Sequence, residues 1–237
     1  MVERNNAEEV KIMKTTNFIA GIALIATLNS TSAAGLDRMS SNSFRSVTAG
    51  HGTWVAVDAQ GHLLASANRL DWTMQDTGTP FSLYAVAFGN GRFVAVGNEG
   101  ALLTSTDGAA WTAQNSETDE RLRSVAFGNG RFVAVGHGGT ILTSKDGLSW
   151  TKRFSGTAER LQSVAFGHGR FVAVGWGGEI LTSSKGLAWA KRNGAANCRL
   201  SNVTFENGTF VASDAQRQIA SHDGANWSRL SIDTAGR

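Results

Sequence analysis

The chain has 237 residues, 22 Lys and Arg against 19 Asp and Glu, a formal charge of +3, 28 glycines, one proline and one cysteine. Its basic residues are scattered without a stripe or a basic-aromatic cluster, so the charge reads as solubility and nucleic acid is excluded as a partner. The lone Cys198 excludes an intrachain disulfide and reads as a small, partly buried residue.

Residues 1–34 stand apart from the rest of the chain. Lys14 precedes the apolar run Phe18 to Leu28, then the small and polar segment Asn29 to Ala34. This is the pattern of a secretory signal peptide, with Ser32 and Ala34 at the −3 and −1 positions of a cleavage site before Gly35. The acidic leader before Met13 lacks the character of a positive n-region, which makes Met13 the expected start. The apolar run is too short to span a bilayer, so no membrane span is expected after cleavage. The expected location is periplasmic or extracellular. Residues 35–42 read as a short linker.

From residue 43 to 231 the chain repeats itself, with a tail at 232–237. The clearest copy is Leu122 to Trp150, and the last tryptophans of the copies fall at Trp72, Trp111, Trp150, Trp189 and Trp227, a period of 39 residues three times and then 38. In the clearest copy, Val125-Ala126-Phe127 and Phe132 to Val135 flank Asn129-Gly130, the signature of a tight hairpin. His137-Gly138-Gly139 turns the chain into Thr140 to Thr143, and Ser144 to Gly147 turns it again into a strand opening at Trp150. Each copy is thus a four-stranded meander. Runs such as Phe-Val-Ala-Val are apolar on both strand faces, as sheets covered on both sides require.

Four short strands per repeat of about 40 residues predict an all-β fold, a β-propeller of five blades, with six or more blades as the alternative reading. The first and last copies are atypical. Ser66-Ala67-Asn68-Arg69 replaces the Ser-x-Asp-Gly turn in the first, Lys185 replaces its Asp in the fourth, and the fifth is one residue short.

At Ser105–Trp111, Ser144–Trp150 and Ser221–Trp227 the chain reads S-x-D-G-x-x-W. This resembles the Asp-box, or bacterial neuraminidase repeat, one residue shorter, as found in sialidase-like propellers and photosystem II assembly factors. The resemblance implies a turn role for Asp107, Gly108, Asp146, Gly147, Asp223 and Gly224, not a catalytic one. A side chain that accepts backbone N–H bonds beside a glycine of positive φ gives the same answer. A sialidase also needs a tyrosine nucleophile with an acidic partner and an arginine triad. Tyr84 is the one tyrosine, and no arginine-isoleucine-proline motif precedes it. Zinc-ligand spacing, a phosphate-binding loop and a G-x-S-x-G elbow are absent too, so no catalytic residue, metal or cofactor is expected.

Residues that recur in every copy serve the scaffold, whereas departures on one face are candidates for function. Trp176 is the one tryptophan that the repeat does not require. It sits in the turn between second and third strands, where other copies have Ala59, Asn98, His137 and Ala215. That turn and the links between copies share one face of a propeller. Trp176, His137, Asn98 and Glu99 therefore join Arg121, Arg160 and Arg199, each just before a first strand, as the candidate ligand site. Recurrence of the arginines points to pairing with Glu120 or Glu159. The sharper reading is a cationic rim beside an exposed indole, suited to an anionic or sugar-bearing ligand.

The expected function is an exported, non-enzymatic binding or scaffold module for a glycan or an envelope protein. A sialidase-like glycosidase or lyase is the second reading, and an assembly factor for a membrane complex is the third.

Overall fold

The computed structural model describes residues 44–193 and 198–230. The expected signal segment, linker and tail lie outside them. The described residues form five four-stranded antiparallel sheets, each with its strands in chain order. They span residues 44–74, 83–113, 122–153, 161–191 and 202–229. Every sheet begins and ends with its own strands, as the meander reading requires.

The third sheet shows why the sequence folds this way. Leu122–Gly128 and Arg131–Gly136 pair with Phe127 opposite Phe132 and Val125 opposite Ala134. Asn129 at φ 47° and Gly130 at φ 67° make the hairpin turn between them, the left-handed pair that matches strand twist. Ile141–Ser144 follows, then Thr151–Arg153 at the outer edge. Phe132 to Val135 are all fully buried, so both faces of the second strand are covered.

The cover comes from neighbouring sheets. Val55, Val57 and Leu63 of sheet one pack with Leu83, Val86 and Phe93 of sheet two. Equivalent clusters join sheets two and three, three and four, and four and five. Each seam has a knob and a socket. Phe88, Phe127, Phe166 and Phe205 lie over Gly50, Gly89, Gly128 and Gly167, where a Cβ would fall 2.1 to 2.3 Å from the ring. Only glycine leaves room for a sheet to approach this closely.

Polar latches register the same seams. Asn90 Nδ2 donates to Lys145 O at 2.8 Å and Asn129 Nδ2 to Ser184 O at 2.8 Å. His168 Nδ1 makes the corresponding contact with His222 O at 3.0 Å. The two end sheets break the pattern. Ala49 stands where the other sheets have the Phe knob, and Glu206 where they have the Gly socket; both are exposed. Ser213 and Gln218 take positions that are valine and isoleucine or leucine in the middle sheets. Among the described residues, no hydrogen bond, ring contact or hydrophobic cluster joins the fifth sheet to the first.

At the third-to-fourth-strand corners a side-chain oxygen accepts the backbone N–H groups of the turn. Asp146 Oδ1 accepts the N–H groups of Leu148 and Ser149 at 2.9 and 3.0 Å, and Trp150 Nε1 donates to Gly147 O at 2.9 Å. Asp107 and Asp223 do the same beside Gly108 and Gly224. In sheet one, Asn68 Oδ1 accepts Leu70 and Asp71 N–H at 2.9 Å, so the degenerate copy keeps the turn with a neutral acceptor.

Candidate functional site

A Gly-rich turn joins second and third strands in the three middle sheets, closing as a short 3-10 helix at Asn98–Gly100, His137–Gly139 and Trp176–Gly178. Its backbone is tied to the links on both sides. His137 N–H donates to Arg121 O and Gly139 N–H to Glu159 O; Trp176 N–H donates to Arg160 O and Gly178 N–H to Cys198 O. These bonds bring turns and links onto one face, which unites Trp176, His137 and Asn98 with Arg121, Arg160 and Arg199.

The side chains there converge on rings. The Arg160 and Arg199 guanidinium carbons lie 4.5 and 4.7 Å from the centre of the Trp176 indole. Trp176 is half-buried, not the open indole that its glycine neighbours lead one to expect, because cations from both flanking links lie against it. The arginines do not pair with Glu120 or Glu159 either. Among the described residues the ion pairs are His62–Asp58 and Lys191–Glu179.

A second cluster surrounds Tyr84. Arg45, Arg121 and Arg123 approach its ring to 5.3, 5.6 and 4.6 Å, and its hydroxyl donates to Asn98 Oδ1 at 2.9 Å. Arg123 Nε also donates to Gln162 Oε1 at 3.1 Å. Burial pulls the Arg123 pKa below the ordinary arginine value, Arg121 and Arg45 add to the fall, and Tyr84 opposes it. Arginine stays charged regardless. His137 lies between the clusters. Burial first, then Arg160, Arg121 and Arg123, hold its pKa below 6.5, against the pull of Glu120.

Sequence reasoning missed Tyr84, Arg45, Arg123 and Gln162. The signal that finds them is internal: the residue after the recurring Phe or Leu at the start of each copy reads Arg45, Tyr84, Arg123, Gln162 and Ser201, different between adjacent copies. Glu99 parts from the predicted group, since it lines a groove of sheet two with Phe81. Cys198 is buried and receives a bond from Arg217 Nη1 at 3.1 Å.

The five repeated antiparallel sheets define a β-propeller. Its solved likenesses include virginiamycin B lyase from Staphylococcus aureus, with TM-score 0.69 and 9% identity over 81% of this chain and 71% of that one. YCF48 bound to D1 peptide matches with TM-score 0.56 and 22% identity over 83% and 69%, and the nidogen/laminin complex with 0.56 and 11% over 78% and 82%. At these identities the likeness is one of fold. No protein-family model and no curated protein matches the sequence.

Proposed function

We propose that the chain is an exported, non-enzymatic propeller that binds a glycan or envelope protein through anionic groups on the face built from links and Gly-rich turns. The observation that carries this reading is the arc of Arg45, Arg121, Arg123, Arg160 and Arg199 around Tyr84, His137 and Trp176, with rings rather than carboxylates against the guanidinium groups. Crowded cations desolvated beside aromatic faces gain from a carboxylate, sulfate or phosphate, which each guanidinium can grip with two N–H groups.

A glycosidase or lyase needs two carboxyl groups within about 5 to 10 Å of each other in one pocket. Of the four carboxylates of the variable turns, Glu99 lines the groove of sheet two and the other three are otherwise engaged. Asp58 is buried and bonded to His62, Glu179 is buried against Lys191, and Asp214 caps its own turn. Among the likenesses, YCF48 was solved with a peptide, which favours a protein partner and keeps the assembly-factor reading in play.

A glycan array and a short acidic peptide titration test the proposal. Trp176→Ala and Arg160→Ala are expected to weaken binding by about 1 to 3 kcal/mol each with little change in melting temperature. Binding should also weaken as salt rises, because the site is partly exposed. Unchanged affinity in an Arg123→Ala/Arg160→Ala variant would remove this face from consideration.

A further inference from the structure

The outer edges of sheets two and three are the same segment of the repeat with opposite charge. Thr112–Ala113 and Thr151–Arg153 are their edge strands, and a shift of 39 residues lays one copy on the other. The corner aspartates Asp107 and Asp146 recur, as do Glu120 and Glu159 of the links. Where the copies part, sheet three gains cations: Lys145, Lys152 and Arg153 stand where sheet two has Thr106, Ala113 and Gln114. Sheet two gains anions, with Glu117 and Asp119 where sheet three has Gly156 and Ala158. Among the described residues none of these five charges is in an ion pair, although the two sheets pack side by side.

An apolar residue stands beside the cations. Phe154, which follows the edge strand of sheet three, is 89% exposed, the most exposed of the large hydrophobic side chains described. Sheets one, two and four carry Asp76, Asn115 and Asn193 at this position, so the scaffold does not call for a ring there. A phenylalanine left in water holds burial energy that association can release.

Complementary edges on adjacent sheets fit a second copy of the chain. Consider a two-fold axis between the two outer edges, parallel to the direction from corners to links. It sets sheet two of one copy against sheet three of the other, and forms the reciprocal contact at the same time. Links then meet links, so Lys152 and Phe154 face Glu117 and Asp119 in both contacts. That is the self-complementary patch an isologous dimer requires. A partner bearing one sign of charge would suit one sheet and be repelled by its neighbour.

We propose that the chain forms a two-fold dimer through the outer edges of sheets two and three, with Lys152 and Phe154 of each copy seated on the Glu117 to Asp119 link of the other. An edge contact of this kind is small, so the dimer is weak and salt-sensitive. The inference does not depend on the ligand proposed for the arginine face.

Sedimentation velocity of the purified chain tests it. At about 100 µM the chain is expected to dimerise in about 20 mM salt and to associate at least about tenfold more weakly in about 500 mM, where screening shortens to a few Å. Phe154→Ser should weaken association about tenfold by removing the anchor. Lys152→Glu and Glu117→Lys/Asp119→Lys should each be monomeric alone, because both contacts of the pair then oppose like charges. Mixed together, these two variants should form a heterodimer, since one contact is native and the other is charge-reversed but matched. All the altered side chains are exposed, so melting temperatures should match the parent. A parent that stays monomeric in low salt, charge variants that dimerise like the parent, or a mixture that fails to associate overturns the proposal.

Discussion

Asp146 and its counterparts show how one side chain sets a turn. Backbone N–H bonds, from Ser149 first and then Leu148, hold its carboxyl below the ordinary 3.8. A carboxyl depressed in this way contributes stability above its unfolded pKa and loses it as pH falls through the folded one. Asn68 makes the same two bonds without charge. Asp146→Asn is therefore expected to keep the turn at neutral pH and to reduce sensitivity to acid, whereas Asp146→Ala should lose about 1 kcal/mol. Lys185, which offers no acceptor at the same position, gives the converse: Lys185→Asp should add about 1 kcal/mol. Thermal melts from about pH 3 to about pH 7 check all three. His137 has the same sign of linkage. Its folded pKa lies below 6.5, so the unfolded chain takes up the proton first and acidification from neutrality lowers stability. An anion held among Arg121, Arg123 and Arg160 favours the imidazolium, so binding should tighten as pH falls from about 7 to about 5. Titrations of parent and His137→Gln over that range decide it; identical profiles would exclude the imidazole from the site. Trp176 was legible as a departure from the repeat, but its partners were not. Among the described residues Arg160 pairs with neither Glu120 nor Glu159, and its guanidinium lies against the indole instead.

At the scale of the element, the seam between sheets rests on glycine as much as on the apolar runs. Gly128 has no side chain because the Phe166 ring occupies that space, 2.1 Å from where a Cβ would lie. Gly128→Ala is expected to cost at least about 1 to 3 kcal/mol, the ordinary range for overpacking a well-filled core. Gly130→Ala, with nothing within 4 Å of its Cβ, should cost only the strain of positive φ, about 1 kcal/mol. Denaturant unfolding of the two variants separates packing from conformation. The hairpins were legible because Asn-Gly between alternating apolar runs is a local instruction. The knob-and-socket pairing was not, since Phe166 and Gly128 are brought together only when two sheets stack.

For the whole molecule, export remains a proposal from residues 1–34, and sequencing the N-terminus of protein secreted by the native host tests it. The mature chain is expected to begin near Gly35; a terminus upstream of Met13 would refute the reading. The sequence alone determined the strand count per repeat, the turns and the five-sheet series, because each depends on local pattern: period, glycine, turn acceptor and terminal tryptophan. Tertiary structure alone decided which cations share a ring and where a groove opens. It also showed that Ala49 and Glu206 leave the end sheets without the knob and socket of the inner seams. These outcomes depend on distances between residues about 40 apart in sequence, which stacking creates and no local pattern records. The recurring arginines were visible in the sequence from the start, but Tyr84 and Trp176 as the rings they meet were set by the approach of one sheet to the next.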